Sequence, residues 1–594
     1  MLDAATSSVA HADEARDPAA GALAAASEQA PTEPAHAPAH VPAHAAAHAV
    51  SDEAVDEAAD ATACTPLSPY GGEPLEEIGT SAALGDAPVQ VGTIDVHGLP
   101  VFDLQDPEQD LWLYRQANRF RAWAGLDTRP ETIEELLFFR EGETVSPRRI
   151  AESERELRAQ LYIFDARILP KQRCGERVDF DVVTRDLWTL LPRLDISRSG
   201  GFSNFGIGVV DSNVFGRGTR LSAGYRETVD RKGWDTSLID PNFLGSHHSL
   251  VAAVGDSEDG YVQILRVGLP FYSFESRVAW GLAVERAQRE EPLYFRGEKF
   301  AEFERRTELL NAFVGWSPGI VGGQQPRFRL GFVHEEHRFA RSEDGPAPLP
   351  FPKDRVFDYP YVAFESVEDD FELTRNLDRL QRTEDLYTGR RVAAQLGYST
   401  QGANRYLYRL EFANAQHFGE RAILRYAVVA EGAWRLDLDE PENLEVRATA
   451  RLRDQQSRQW SLYGAASFVY TDNLTPDRQL LLGGDTGLRG YPLRYQLGDR
   501  RFLVSLEERY FSDLHIAKLV RVGGAVFADV GRAWSPSEPS DDEFGVLANV
   551  GVGLRLESTR TQNGALMHID LAFPLVDGPN VDAVQFVISV KQSL

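Results

Sequence analysis

The feature that most constrains this chain is an alternation of apolar and polar residues that recurs over roughly 400 residues, from Trp188 to Leu594. In Leu444–Arg453, for example, Leu, Val and Ala residues alternate with Glu, Thr and Arg residues. Successive side chains of a β-strand point to opposite faces, so each such segment predicts a strand with one apolar and one polar face. Residues 188–594 are therefore predicted to be almost entirely β-structure.

A soluble β-sandwich alternates in the same way, but three features favour a transmembrane antiparallel β-barrel. The segments are ~10 residues long, which is the length needed to cross a bilayer at a tilt. No linker divides this region into the two or three sandwiches that it would otherwise form. Aromatic residues lie near segment ends, where an interfacial girdle is expected, namely Trp280, Trp316, Trp434 and Tyr470. Lipid offers no hydrogen-bond partners, so the strands are expected to close into a barrel.

Residues 89–187 have a mixed pattern that predicts one α+β module of about 100 residues. The predicted elements are a strand at Gly92–Gly98, helices at Asp106–Ala124, Thr132–Phe139 and Pro147–Leu161, and strands at Tyr162–Leu169 and Arg177–Arg185. Ser146 before Pro147 is typical of a helix start. We expect the strand Tyr162–Leu169 to leave one sheet edge exposed.

Residues 1–88 form an acidic tail rich in Ala, Pro and His, with 15 Asp or Glu residues against the single basic residue Arg16. Such a segment buries too little apolar surface to offset the entropy of ordering, so it is predicted to be disordered. The net charge of −28 argues against a nucleic-acid partner. Four histidines recur every four residues, but Pro38 and Pro42 break any helix that would align them, so no metal site is predicted.

Export and disulfide formation give weaker signals. No run of 18 apolar residues occurs, so no transmembrane helix is predicted. Residues 1–30 lack the apolar core of a secretory signal, and an exported protein is expected to start elsewhere. The chain has two cysteines, Cys64 in the predicted tail and Cys174 in a predicted turn. A bridge from a disordered tail is not expected.

Two motifs near the C-terminus carry a family resemblance. Residues 481–491 read LLGGDTGLRGY in a loop between predicted strands Ser461–Tyr470 and Arg501–Phe511, and Phe527, Asp529 and Gly531 share one face of a later strand. Together they resemble the BamA/TamA superfamily of outer-membrane assembly and secretion barrels, which has an Arg-Gly-aromatic motif in a lumen loop and a Phe-x-Asp-x-Gly motif on a later strand. Five strands are predicted after the loop, as in that family.

The resemblance covers about residues 90–594 and implies a 16-strand barrel, whereas the alternation alone gives up to 20 segments. Sixteen strands are favoured, with 18–20 kept open. The α+β module resembles a polypeptide-transport-associated (POTRA) domain, notably through Ser153-Glu154-Arg155 and Leu157-Arg158. Two positions depart from the family: Leu488 stands where Val or Ile is commoner, and Leu594 stands where an aromatic residue is typical.

The motif residues suggest a tether between the loop and the barrel wall. The Arg489 guanidinium needs a carboxylate in a confined lumen, and Asp529 offers a bidentate acceptor. Gly490 allows a close approach to the wall. The predicted site is thus Leu488, Arg489, Gly490 and Tyr491 on the loop, with Phe527, Asp529 and Gly531 on the strand. The alternative is that Arg489 is one of many solvated lumen arginines.

No catalytic arrangement is evident, so the chain is not predicted to be an enzyme, and no cofactor is predicted. His334 and His337 in His-Glu-Glu-His have the wrong spacing for a zinc motif, and on a strand they would face opposite sides. A Gly-x-Ser-x-Gly elbow and a phosphate-binding loop are also missing from the sequence. An outer-membrane phospholipase with Ser and His on neighbouring strands is an alternative that short motifs do not exclude.

The resemblance implies a protein of the bacterial outer membrane, with the module and tail in the periplasm. Its partners would be unfolded outer-membrane or secreted polypeptides and outer-membrane lipid. The module would capture clients by strand pairing at its exposed edge. The barrel would then insert them at its seam, or pass them through its lumen as a two-partner-type secretion pore. A passive barrel or surface antigen is the alternative of another class.

Overall fold

The computed structural model describes residues 64–71, 87–102, 112–343, 345–375, 383–517, 519–536, 545–561 and 566–591. The prediction of disorder for residues 1–63 and 72–86 lies outside the described residues, and so do the four tail histidines. The predicted helix start at Asp106 also lies outside them. None of the described helices combines the length and apolarity needed to cross a membrane.

The N-terminal module is a five-stranded sheet with three helices, and its strand order is β1-β4-β5-β2-β3. The elements are β1 (Thr65–Pro66), β2 (Val89–Leu99), α1 (Trp112–Ala124), α2 (Pro130–Glu135), β3 (Thr144–Val145), α3 (Pro147–Ala159), β4 (Ile163–Cys174) and β5 (Arg177–Asp186). β2 runs parallel to β5, and β4 pairs with β5 as an antiparallel hairpin. The POTRA assignment and the domain boundaries stay predictions.

Local sequence signals place the module's third helix well. Ser146 is extended and its side chain accepts a hydrogen bond from the Arg149 N–H, and Pro147 occupies the first turn, as predicted. Ile150 and Leu157 are fully buried in a core that includes Phe139, Phe180 and Ile168. The predicted turn between the strands Tyr162–Leu169 and Arg177–Arg185 was expected to begin at Pro170. That start is wrong, because β4 continues to Cys174 through an irregularity after Pro170.

The start of the described chain departs from the predicted tail. Cys64 forms a disulfide with Cys174, which the sequence analysis did not expect. β1 pairs with β4 at Gln172 and Arg173, next to that bridge. The prediction failed because composition describes residues 1–88 as a whole, whereas Thr65 and Pro66, directly after Cys64, have a partner strand in the sheet.

The C-terminal part is a closed antiparallel barrel of 20 strands. In ring order from the module these are β6 (Leu190–Ser199), β7 (Phe202–Asp211), β8 (Arg220–Glu227), β9 (Lys232–Phe243), β10 (His248–Ser257), β11 (Gly260–Leu269), β12 (Val278–Phe295), β13 (Glu298–Trp316), β14 (Gln324–Arg341), β15 (Arg355–Glu368), β18 (Arg391–Ser399), β19 (Arg405–Phe418), β20 (Ala422–Arg435), β21 (Glu440–Gln455), β22 (Trp460–Asp472), β25 (Arg500–Ile516), β26 (Val520–Trp534), β27 (Leu547–Ser558), β28 (Leu566–Pro574) and β29 (Gln585–Lys591).

The favoured number of 16 strands is therefore wrong. Two hairpins do lie outside the ring, β16–β17 (Phe371–Arg375 and Thr383–Tyr387) and β23–β24 (Leu480–Leu482 and Gln496–Gly498). Every other strand after Trp188 pairs with two ring neighbours, so the ring takes up the segments that the resemblance would have assigned to loops. The five strands expected after the motif loop are present as β25–β29.

The two faces of the barrel wall have opposite chemistry. On β27, Val550, Val552 and Leu554 are exposed on the outside, whereas Arg555 and Glu557 are buried on the inside. β28 and β29 follow the same rule, as the alternation predicted. Apolar groups outside and charged groups inside are the arrangement of a barrel whose outer surface contacts lipid. This sidedness fits a transmembrane barrel, and its exception is the far end of β12 to β14, where Arg286, Arg306 and Arg338 are exposed on the outer face.

Chain direction defines two ends of the barrel. β6 starts directly after the module, so the end that carries the module is called the module end and the opposite end the far end. With 20 strands, β29 also finishes at the module end. The loop between β22 and β25, residues 473–499, lies at the far end and carries the predicted motif. The hairpin β16–β17 lies at the module end.

Candidate functional site

The motif loop, residues 473–499, folds into the barrel. The short hairpin β23–β24 reverses the chain, and the motif Leu488–Tyr491 lies between its two strands. Its side chains contact inward-facing residues of four strands, β25 to β28. The loop therefore occupies the lumen and packs against the C-terminal wall.

Arg489 forms the predicted ion pair with Asp529. Its Nε donates to Asp529 Oδ2 at 2.8 Å and its Nη2 donates to Oδ1 at 2.9 Å. The two parallel bonds are the bidentate geometry expected of an arginine and a carboxylate. Arg489 is 4% exposed and Asp529 is 0% exposed, so the alternative of a solvated lumen arginine is wrong.

Arg489 also has two carboxylate partners that the sequence analysis did not assign to it. Its Nη1 donates to Glu507 on β25 and to Asp570 on β28, both at 3.0 Å. Its guanidinium carbon lies 3.3 Å from the centre of the Phe527 ring, in cation–π contact. The arginine is thus held by three strands and stacked on the aromatic residue of the second motif.

Two wall arginines complete this network. Arg555 Nε donates to Glu507 at 2.9 Å and its Nη1 donates to Asp570 at 2.6 Å. Arg509 Nε donates to the same Glu507 oxygen at 2.7 Å. Three arginines and three carboxylates therefore share one buried cluster, and their formal charges balance. Balanced, mutually bonded charges are the condition under which a buried ionic cluster is tolerated.

The remaining loop residues fit the wall closely. A Cβ at Gly490 would lie 2.6 Å from Asn549 Cβ, so only glycine permits this approach. The Gly490 N–H donates to Asn549 Oδ1 at 3.0 Å, and Asn549 Nδ2 donates to Asp529 at 2.8 Å. The Tyr491 hydroxyl donates to the Ala548 carbonyl at 2.9 Å. Leu488 is fully buried among apolar residues of the loop and the wall.

Gly531, the last residue of the second motif, makes room for the loop. A Cβ there would lie 3.3 Å from Leu482 Cδ2 and 2.9 Å from the Phe502 carbonyl oxygen. The neighbours Val526 and Val530 are exposed on the outer face, as the strand parity predicted. The structure thus brings all seven predicted site residues into one cluster, and their functional role stays a prediction.

A second clamp holds the loop at another part of the wall. Arg494 donates from Nη1 and Nη2 to Asp230, at 2.7 and 2.5 Å, in the turn between β8 and β9. Its guanidinium also lies 4.1 Å from the Tyr294 ring centre. The Tyr294 hydroxyl donates to Asp230 at 2.7 Å. This clamp was missed because Asp230 lies in a turn without alternation.

A third clamp involves Asp477. Arg355, at the start of β15, donates from Nη1 and Nη2 to its carboxylate, at 2.9 and 2.6 Å. Gln479 adds a pair of hydrogen bonds to the backbone of Tyr294, at 2.8 and 2.9 Å. In ring order from β6, the Asp230 clamp lies between the third and fourth strands, the Arg355 clamp on the tenth and the Asp529 clamp on the seventeenth. The three clamps are therefore spaced about seven strands apart around the ring. The loop is braced across the lumen in three directions.

The module is fixed to the module end through α3. Arg148 and Arg155 both form ion pairs with Asp369, which follows β15. Arg158 donates from Nε and Nη2 to Asp385 of the β16–β17 hairpin, both at 2.7 Å. These contacts join one face of α3 to the connection between β15 and β18. The module is therefore clamped to one sector of the barrel mouth.

Two buried glutamates lie on the same helix. The Phe274 N–H donates to Glu152 Oε1 at 2.9 Å, and burial raises the pKa of Glu152 to about 7. Burial also raises the pKa of Glu156 well above its ordinary value, and the nearby Glu152 raises it further. Glu156 accepts a hydrogen bond from Gln160 Nε2 at 2.6 Å. The module–barrel contact thus contains a carboxyl group that titrates near neutral pH.

The expected exposed edge on β4 is wrong. Ile163, Ala166 and Ile168 are all fully buried. The Ile168 N–H donates to Glu154, and the Ala166 carbonyl accepts from Arg158, so α3 takes up backbone groups of this strand. Glu154 and Arg158 belong to the two short segments, Ser153-Glu154-Arg155 and Leu157-Arg158, that carry the POTRA resemblance. The prediction considered only the pattern of the strand itself, and that pattern does not show that a helix packs over its edge.

The other side of the sheet offers a different edge. β2 pairs with β3 only at Val89 and Gln90. From Ile94 to Leu99, its one described strand partner is β5. Most of this segment is partly exposed. Residues 94–99 of β2 therefore form an edge with one described strand partner.

No family model and no curated protein matches the chain. Among solved structures, the chain is similar to BamA from Haemophilus ducreyi lacking POTRA domains 1–3, with 13% identity, a TM-score of 0.40 and coverage of 83% of this chain and 84% of that chain. CdiB from Acinetobacter baumannii gives 13% identity and a TM-score of 0.41 over 88% and 94% of the two chains. CdiB from Escherichia coli gives 13% and 0.42 over 89% and 93%.

Proposed function

We propose that this chain assembles polypeptides into the bacterial outer membrane, with the seam between β29 and β6 as the place where a client strand is added. The observation that carries the proposal is the pairing at this seam. Among described residues, the two strands share one residue pair, Ile588 with Arg198. By contrast, seven pairs join β28 to β29 and ten join β6 to β7.

A short seam has a direct physical consequence. Each missing pair leaves backbone donors and acceptors of the two edge strands available, and such an edge is a template for another strand. Ser589, Val590 and Lys591 have no ladder partner on β6 among the described residues. Val590 is exposed on the outer face. Opening here breaks fewer hydrogen bonds than opening between any other described pair of ring strands.

The braced loop favours the seam over the lumen as the client route. Passage through the lumen would require release of three arginine–carboxylate clamps, of which the Arg489 cluster alone has three carboxylates. Seam opening leaves those clamps intact, because their partners lie on β15, β25, β26 and β28 and in the β8–β9 turn, and none of them lies on β29 or β6. The cluster then serves to keep the C-terminal wall rigid beside a seam that opens.

The test is a disulfide across the seam. Arg198→Cys with Ile588→Cys, in a Cys64→Ser/Cys174→Ser background, places two thiols on directly paired residues. Assembly of an unfolded barrel client into proteoliposomes is expected to stop on oxidation and to return on reduction. The matched control is Arg198→Cys with Ser203→Cys, which links β6 to β7 and leaves β29 unlinked.

Full client assembly by the oxidised seam variant would overturn the proposal. A two-partner-type secretion pore is the second candidate, and the loop distinguishes it. Asp230→Asn with Asp477→Asn should then raise conductance and polypeptide passage while the oxidised seam has no effect. A barrel without activity in either assay would be a passive surface antigen.

A further inference from the structure

The helix α1 presents an aromatic face, and no other described element covers its two tryptophans. Trp123 is 83% exposed and Trp112 is 72% exposed, and Phe120 is also exposed. The spacing of 112, 119 and 123 places these positions on one side of a helix with 3.6 residues per turn. Arg119 is exposed on the same side. Two tryptophans and an arginine in water are an unusual surface for a soluble module.

The opposite face of α1 is fixed to the rim of the barrel. Tyr114 is buried, stacks on Phe102 and donates to the carbonyl of Ala517, in the turn between β25 and β26. Arg121 donates to Asp186 at 2.7 Å and to the Leu187 carbonyl at 2.6 Å. The aromatic face is therefore turned away from both the module core and the barrel turn.

This rim lies where the apolar outer surface of the barrel ends. Ile516, next to Ala517, and Leu514 are exposed on the outer side of β25. Trp460 and Tyr510, on the adjacent strands β22 and β25, form an aromatic pair with ring centres 4.9 Å apart near the same end. Such a pair is typical of the level of the lipid head groups. α1 contacts this rim through Tyr114, whose partner Ala517 directly follows Ile516.

We propose that α1 is an interfacial helix that rests in the head-group layer of the bilayer around the module end of the barrel. The tryptophan rings suit this layer because they combine an apolar ring with an N–H donor. Arg119 would meet lipid phosphates, since its charge and donors match theirs. The inference rests on the barrel lying in a membrane, but not on what the seam does.

Anchoring by α1 would fix the orientation of the module. Through Tyr114, α1 contacts the turn between β25 and β26. Phe120 stacks on Trp188, just before the seam strand β6, with ring centres 6.4 Å apart. α3 holds the module at the β15–β18 sector on the other side. The module is then supported at two places on the barrel mouth, and one of them includes lipid.

The test uses a fluorescent probe on the helix. Ala122→Cys is exposed, leaves both tryptophans intact, and is a free thiol because both native cysteines are in the disulfide. The labelled full chain is placed in nanodiscs of phosphatidylethanolamine and phosphatidylglycerol with a head-group-proximal nitroxide lipid. We expect a blue-shifted emission and loss of fluorescence at position 122. Thr144→Cys, exposed on the edge strand β3, is the comparison and should lose little.

Trp112→Ser with Trp123→Ser should restore fluorescence at position 122, while the heat-modifiable migration of the barrel stays unchanged. Equal quenching at 122 and 144, or quenching that the tryptophan substitutions leave unchanged, would overturn the proposal. A client polypeptide that protects position 122 in the absence of lipid quenching would also overturn it. The seam assay remains independent, since it requires neither tryptophan.

Discussion

At the scale of single residues, the motif arginine is the centre of a network. Arg489 serves Asp529, Glu507 and Asp570 at once, and Arg555 shares two of these partners. The network has equal numbers of positive and negative groups, so removal of one member leaves an unbalanced buried charge. We therefore expect the loss of stability on removing a member to increase with the number of charged partners that it leaves unpaired.

Arg489→Ala is expected to destabilise the loop more than Asp529→Ala. Without Arg489, three carboxylates share two arginines, whereas without Asp529 the guanidinium keeps Glu507 and Asp570. Losing a member of a buried cluster costs ~2–5 kcal/mol, with Arg489→Ala near the top of that range. The double variant should be little worse than Arg489→Ala alone, because the shared bond is lost once. Limited proteolysis within residues 473–499 measures the effect.

Arg489→Lys is the matched control for charge, because it keeps the cation but loses the bidentate geometry. Its protease sensitivity within residues 473–499 is expected to lie between that of the wild type and that of Arg489→Ala. Strict additivity of the Arg489→Ala and Asp529→Ala effects would contradict the network.

At the scale of elements, α3 illustrates how a helix can bury polar residues as well as its apolar face. Its buried residues include Glu152, Ser153, Glu154, Glu156 and Arg158, with Ile150 and Leu157 as the apolar ones. These polar groups are buried because α3 lies between the module sheet and the β15–β18 connection. The helix itself was predicted from its cap and spacing, but its burial depends on what packs on both sides.

Docking of α3 is expected to weaken as pH rises. Glu152 has a folded-state pKa of about 7 against an ordinary value of 4.5, because of burial. Asp369 opposes its ionisation, while Arg155, Ser273 and the Phe274 N–H favour it. A carboxyl with a raised pKa stabilises the fold fully below about pH 4.5, and this contribution is lost as pH rises through about 7. The free energy of unfolding is expected to fall by about 3 kcal/mol between these two pH values.

Glu152→Gln should remove most of this pH dependence. The measurement is the urea midpoint of the module in the refolded full-length chain, followed by the circular dichroism of its helices from about pH 5 to about pH 8. Glu131→Gln, an exposed acid on α2, is the matched control. A slope that Glu152→Gln leaves unchanged would assign the titration to Glu156 or to another group.

At the scale of the whole molecule, the disulfide divides the N-terminal segment into two parts with different expected roles. Deleting residues 1–63 should leave the stability of the module unchanged. Deleting residues 1–71 removes β1 and the bridge, which closes a 110-residue separation. Removing such a bridge costs roughly 2–5 kcal/mol, mainly because the unfolded chain gains freedom. The urea midpoint of the module measures this loss.

Cys64→Ser with Cys174→Ser separates the bridge from the strand and should account for most of the loss. The heat-modifiable migration of the barrel should be the same in all these variants, because its ring closes without the module sheet. An equal effect of both deletions would place the stabilising residues before position 64.

Features that depend on a local sequence signal could be predicted, and features that depend on distant partners could not. Alternation is local, and it correctly assigned the outer face of Val526 and Val530 and the inner face of Asp529. The Arg489–Asp529 pair was also predictable, because two motifs and one parity argument specify it. Arg494–Asp230 and Arg355–Asp477 were not, since nothing local distinguishes these charges from their neighbours.

What the sequence by itself determined is therefore the class of the fold, the facing of the barrel strands, the start of α3 and the central ion pair. Only the tertiary structure decided the closure at 20 strands, the bridge from Cys64 to Cys174 and the burial of the β4 edge under α3. The physical reason is the same in each case. Propensity, period and capping act within a few residues along one element, whereas these three features depend on tertiary contacts. The bridge needs a partner more than 100 residues away, the ring depends on the whole circumference, and the edge depends on a helix that packs back onto the strand.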